Sequence, residues 1–113
     1  MPEAGWIEGL PAAITVIDAA GKIISMNDAA CRTFEGHGGS ALIGQDIFQV
    51  HAEHARATIR EMFETKRVNA YTIEKEGHWK LIYQCPWYLE GGFAGYVEIS
   101  LPIPAELPHH KRG

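Results

Sequence analysis

ITVIDAAGKIISMNDAACRTF, residues 14–34, reads as strand, tight turn, strand and helix. Residues 14–18 form a largely β-branched run, which suits a pleated, half-buried surface. Asp18-Ala19-Ala20-Gly21 has turn chemistry: the Asp carboxylate can bond backbone two residues on, and Gly21 takes a conformation that other residues avoid. Residues 22–26 turn apolar again and pair back as a hairpin. Asn27 offers a helix N-cap, and Asp28 sets a negative charge in the first turn, where the helix dipole favours it. Ala29, Ala30, Cys31 and Phe34 carry the helix and its inward face.

Outward from this stretch, periodicity places the remaining elements. Glu35-Gly36-His37-Gly38-Gly39-Ser40 is a loop, with His37 solvated; it lacks the Lys-Ser/Thr pair that a phosphate-binding loop needs. At about 100° per residue, Ala55, Ile59, Met62 and Phe63 cluster on one helical face, while Arg56, Arg60, Glu61 and Glu64 point elsewhere. A helix starting as early as His51 sets that residue at the edge of the inner face, and His54 projects away from it. Residues 69–75, 78–88 and 93–101 read as three strands, with turns at Glu76-Gly77 and Glu90-Gly91-Gly92. Alternation puts Trp79, Leu81, Tyr83, Cys85 and Trp87 on one apolar face. It puts Phe93, Gly95, Val97, Ile99 and Leu101 on the buried side of the last strand, where Gly95 leaves room for an aromatic ring or a ligand. Pro86 weakens pairing or marks a bulge. The fold class is α+β: an antiparallel sheet with helices over one face.

These pieces, in this order, resemble a PAS domain. The strand, D-x-x-G turn, strand ending in Asn and short Ala-rich helix ending in Phe look like the opening of that family. Leu42-Ile43-Gly44-Gln45-Asp46-Ile47-Phe48 resembles the hydrophobic-Ile-Gly-polar step of its middle helices. Residues 53–66 sit where its long connecting helix belongs, and residues 93–101 resemble its last strand. YTIEKEGHWKLIYQCPWY, with the tail, looks like a branch of small bacterial PAS proteins and modules. The resemblance implies a five-stranded sheet and a cavity between central helix and sheet. Its lining would come from Phe34, Ile59, Met62, Phe63, Tyr83, Cys85, Val97 and Ile99. Two readings of His51 stay open: a helix-start residue bonding backbone, or a ligand reaching into the cavity. Some PAS sensors hold haem through a histidine here, so His51, then His54, are the residues to test. The sequence assigns no cofactor and no other metal. Cys31 in NDAACRTFEG superficially resembles the family's flavin photosensors, but their Asn-Cys-Arg-Phe-Leu-Gln string is absent near Gly44, which argues against flavin.

The totals bound the function. A chain of 113 residues is one domain, here divided as an N-terminal cap segment 1–11, a PAS-like domain 12–101 and a Pro-rich tail 102–113. Net charge is −4, so no basic surface advertises nucleic acid or anionic lipid. No apolar run approaches the roughly 20 residues that span a bilayer, and the acidic start is no signal peptide. The expectation is a soluble, cytoplasmic protein. Cys31 and Cys85 make no disulfide or metal pattern, and His109-His110 are too few for a metal site. Residues 3–10 read as a short helix with Trp6, Ile7 and Leu10 on one side. They either fold over their own sheet or form a homodimer contact. The reading is a sensory module, not an enzyme: it takes a small apolar ligand and relays through a signalling partner in trans. The alternatives are a ligand-free dimerisation module and a small enzyme with chemistry near Tyr83, His51 and Cys85.

Overall fold

Asn27 ties the first half of the chain together. The computed structural model describes residues 5–113, and Asn27 is one of its least exposed side chains at 1%. Its Oδ1 accepts from the Ala30 N–H at 3.0 Å, capping the helix as the sequence predicts, and also from the Ile14 N–H at 2.9 Å. Its Nδ2 donates to the carbonyls of Ile7 at 2.9 Å and Ala12 at 2.8 Å. Both donors and both acceptor sites of the amide are thereby used. One side chain, placed directly after strand β2 (Ile23–Met26), thus joins the N-terminal helix α1 (Gly5–Glu8), strand β1 (Ala13–Asp18) and helix α2 (Asp28–Thr33). The first two residues of the expected N-terminal helix, 3 and 4, lie outside the described residues.

The hairpin turn is built as its residues imply. Asp18 Oδ1 accepts from Ala20 N at 3.0 Å and Lys22 N at 2.9 Å, with Gly21 at φ +91°. The glycine-rich stretch is more ordered than a plain loop: two short 3₁₀ turns, Glu35–His37 and Gly39–Leu42, carry it. The step Leu42–Phe48 begins at the end of the second 3₁₀ turn, and residues 43–50 then continue without helix. They run along the free edge of β2, where Gly44 N donates to Ile23 O (2.7 Å), Ile23 N to Gln45 O (2.9 Å) and Ile47 N to Gly21 O (2.7 Å). Pairing here covers a strand edge that would otherwise stay open.

Helix α3 (Glu53–Thr65) follows, so His51 precedes it, and Lys66 ends it in the left-handed conformation. Strands β3 (Asn69–Lys75), β4 (His78–Leu89) and β5 (Gly92–Ile103) complete the sheet. Glu76-Gly77 and Glu90-Gly91 both take positive φ throughout, the geometry of tight hairpin turns that match strand twist. The sheet order is β2-β1-β5-β4-β3, all antiparallel, with β5 at the centre. Pro86 and Pro102 lie where only one neighbouring strand pairs. β3 ends opposite Gln84 and β1 ends opposite Ser100, so neither proline needs a second ladder partner. The last strand runs two residues past the expected boundary at 101.

The sheet faces differ from the alternation reading. The Tyr96 hydroxyl reaches the Met62 carbonyl of α3 at 2.6 Å, which turns Tyr96, Glu98 and Ser100 toward the helices. Their register partners Pro86, Gln84 and Ile82 share that face. Val97, Ile99, Leu101, Cys85, Tyr83 and Leu81 therefore face outward. The cause is a bulge: Trp87 pairs with Gly95 but Tyr88 with Phe93, leaving Ala94 unpaired. Phe93 joins the helix side, where its ring meets Phe63 edge-on at 5.8 Å. Gly95 makes room for backbone, and its register partner Trp87 reaches past it to β1. At φ +141° Gly95 admits the backbone of β1 so closely that a Cβ would stand 1.9 Å from the Ile17 carbonyl oxygen. That oxygen accepts from the Trp87 indole N–H at 3.1 Å.

The core lies between the sheet and its helices, around Ile17, Ile23, Met26, Ala30, Met62 and Tyr96. Phe63 stacks on Tyr96 at 5.2 Å and tilts against Phe48 at 5.7 Å.

Candidate functional site

Helix α3 does not close down on the sheet along its whole length. Its C-terminal half is pinned: Met62 is 5% exposed, and the Tyr96 hydroxyl is shared between the carbonyls of Met62 (2.6 Å) and Arg67 (2.9 Å). Its N-terminal half stands off, and a cavity of about 570 Å³ opens beneath it. Ile59, Met62 and Phe63 from α3 and Phe34 from the end of α2 form apolar wall. Ile17, Ile23 and Met26 close its inner end.

The floor is polar. Asn69, Gln84, Glu98 and Thr15 stand directly opposite one another across β3, β4, β5 and β1, and all four line the cavity. Three of them form a hydrogen-bonded row. Arg67 Nη1 donates to Asn69 Oδ1 (3.3 Å), Asn69 Nδ2 to Gln84 Oε1 (2.8 Å), and Gln84 Nε2 to Glu98 Oε1 (2.7 Å). The two ends fix the direction of this chain, because a guanidinium only donates and a carboxylate only accepts. Tyr71 stands beside the row; burial, and behind it the Glu98 charge, push its phenol above the ordinary value of 10.0.

Among the residues singled out in the sequence, Phe34, Ile59, Met62, Phe63 and His51 are brought to the cavity. His54 also lines it, although the helical wheel turned it away, because α3 starts only at Glu53 and His54 sits on its open first turn. His51 is exposed, and its Nδ1 bonds the Ile47 carbonyl at 2.9 Å. A carbonyl only accepts, so Nδ1 carries the proton and Nε2 is the free nitrogen. His37 reaches the rim as well. Tyr83, Cys85 and Ile99 are on the opposite face of the sheet, and Val97 borders the cavity from a position whose register is outward. The expected neighbourhood of His51 with Tyr83 and Cys85 is therefore not formed. Burial also pushes the Cys85 thiol up, away from the thiolate that nucleophilic chemistry requires. Among the described residues no group of three or more His, Cys, Asp or Glu could hold a metal ion.

Sequence reasoning missed Asn69, Gln84, Glu98 and Thr15. A signal existed: the Glu76-Gly77 turn alone sets Asn69 opposite Gln84. The second hairpin, counted from its turn, would put Gln84 opposite Val97, and only the bulge at Ala94 shifts the partner to Glu98.

A family model described as PAS domain matches residues 11–86. No curated protein matches the chain in sequence. A receptor of Vibrio cholerae described as a dual PAS–haem oxygen sensor aligns with TM-score 0.62 at 16% identity, over 86% of this chain and 98% of that one. The PAS domain of the histidine kinase ThkA aligns with TM-score 0.64 at 19% identity, over 80% and 97%. The VqmA dimer of Vibrio cholerae, a LuxR-type receptor, gives TM-score 0.70 at 16% identity over 93% of this chain and 53% of that one. At such identities these structures share the fold. With the model covering well over half of the 113 residues, and the five-stranded antiparallel sheet and its helices matching these neighbours, the chain belongs to the PAS domain family.

Proposed function

We propose that this PAS domain is a sensory module whose signal is a small molecule held between α3 and the sheet. The observation that carries the reading is the cavity itself: about 570 Å³, apolar on its walls, with a few convergent polar groups on its floor. That combination is what small-molecule sites have in common. A helix pinned at one end and free over the cavity gives occupancy a mechanical consequence, since a ligand that packs under residues 54–59 steadies the free half of α3.

The lining does not fit haem. His51 Nε2 could serve as an axial nitrogen, and the relative from Vibrio cholerae is described as a haem sensor. Among the described residues no Lys or Arg lines this cavity to meet two propionates, however; a single lysine, Lys80, borders the smaller cavity beside it, and the floor presents a carboxylate. Titration with hemin should give no saturable Soret shift.

The relay reading uses the other face of the sheet. Its outward rows are apolar: Val16 beside Val97 and Cys85, then Ile14 beside Ile99 and Tyr83, then Leu101 beside Leu81. Tyr83 is 38% and Leu101 37% exposed, and Trp6 on α1 is 65% exposed. Such a surface suits a second copy of this chain, with Trp6, Ile7 and Leu10 at or near the contact and a signalling protein engaged in trans.

The ligand reading is tested on freshly purified protein by mass spectrometry of the supernatant after denaturation, comparing the unmodified chain with Ala55→Trp, which fills the cavity. The expected result is a stoichiometric small molecule released by the first and not the second. Equal release from both would contradict the site. Release from neither, with no saturable binding of a neutral aromatic such as 3-ethylindole, would contradict ligand binding altogether.

A further inference from the structure

The cavity has an unbalanced charge. Glu98 sits in the middle of the central strand, half-buried, with Oε1 accepting from Gln84 and Oε2 accepting from none of the described residues. It joins neither of the ion pairs among those residues, which are Arg56–Glu53 and Arg67–Glu61. Arg67 touches the polar row only at its far end, through Asn69. Among the described residues the cationic groups on its lining are histidines, His37, His51 and His54; Lys80 lines a smaller adjoining cavity that shares Glu98 and forms no ion pair with it. A carboxylate fixed by a hydrogen-bonded neighbour, with one oxygen unused and apolar walls around it, is arranged to receive a donor.

We infer that the ligand of this cavity is a small aromatic or aliphatic molecule carrying a protonated amine, whose N–H donates to Glu98 Oε2. The inference rests on the cavity being the ligand site. Apolar bulk packs against Phe34, Ile59 and Phe63, while the nitrogen points to the floor. The row behind Glu98 holds the carboxylate in place: Gln84 can reach it only by donating, because its own carbonyl is occupied by Asn69. Anionic ligands meet the opposite: a carboxylate on the floor and, among the described residues, no Lys or Arg on the lining of this cavity, Lys80 bordering only the smaller one beside it. Partly desolvated, a charge-assisted pair is stronger than a neutral one, and a like-charge encounter is correspondingly disfavoured.

Three probes sharing one ring system test this: tryptamine (cation), 3-ethylindole (neutral) and indole-3-propionate (anion). Their dissociation constants are measured by NMR titration of the full chain, of Glu98→Gln, and of Glu64→Gln, which removes the same charge from an exposed position of α3. The expected order for the unmodified chain is tryptamine tightest and indole-3-propionate weakest. Glu98→Gln should weaken tryptamine about tenfold, as loss of a charge-assisted pair implies, and leave 3-ethylindole within about twofold. Unchanged 3-ethylindole binding also shows that the variant is folded. Glu64→Gln should change none of the three. If 3-ethylindole binds but tryptamine is no tighter, or is equally tight in Glu98→Gln, the donor assignment is overturned while the cavity reading stands. If no probe binds, the cavity reading falls and this inference with it.

Discussion

Tyr96 and Asn27 do at single-residue scale what the fold needs at its two ends. The Tyr96 hydroxyl holds the C-terminus of α3 to the central strand, so Tyr96→Phe should cost about 1–2 kcal/mol in urea unfolding. Burial raises its phenol above the ordinary 10.0, with Arg67 pulling the other way. A group whose folded value is raised contributes stability that is present below its unfolded value and lost as pH rises through the folded one. The gap between the unmodified chain and Tyr96→Phe should therefore be full near pH 8 and shrink above about pH 10. A gap that widens with pH would contradict the assignment. Asn27→Ala removes four hydrogen bonds and leaves buried partners open, and should cost about 3 kcal/mol or more; Asn27→Asp should stay destabilised because it lacks the two donors. Gly95→Ala should be worse tolerated still, as backbone and not a flexible side chain occupies the space its Cβ would need. The cap role of Asn27 was legible from Asn-Asp followed by an Ala-rich run. Its grip on Ile7 and Ala12 was not, because those partners lie 20 and 15 residues away and only the folded chain brings them near.

Among the elements, the strands were readable to within a residue or two, because alternation and Glu-Gly turns are local signals. Which face of the sheet goes inward is not a local property. The more apolar face of β4 and β5 looks like the core face by composition, yet it points outward, and the cavity claims the polar face. A single bulged residue, Ala94, decides this for β5, and nothing in GGFAGYVEIS marks it apart from Gly95. Residues 43–50 could not be placed by periodicity, because their hydrogen bonds go to β2, a partner distant in the sequence. Helix α3 itself should behave as two halves. Amides of residues 56–59 should exchange with solvent faster than those of residues 62–65, and ligand binding should slow the first group selectively. Uniform exchange along α3, with no change on binding, would contradict a helix hinged at its Tyr96 end.

For the molecule as a whole, the proposed division of work runs across the sheet: a ligand in the cavity on the helix side and a second copy on the apolar rows of the other. Light scattering at high micromolar concentration should find a dimer for the unmodified chain and a monomer for Tyr83→Lys, with Trp6→Ala weakened. A dimer unaffected by Tyr83→Lys would place the contact elsewhere. No helix among the described residues is long and apolar enough to cross a membrane.

The central claim is that the space under α3 receives the ligand. It is tested most directly by mapping backbone amide chemical shifts while titrating 3-ethylindole, a probe without the cationic amine assigned to Glu98. The account predicts saturable shifts at Tyr71, Gln84, Glu98 and residues 55–59. Shifts centred on Tyr83, Ile99 and Leu101, or no saturable shift at all, would contradict it.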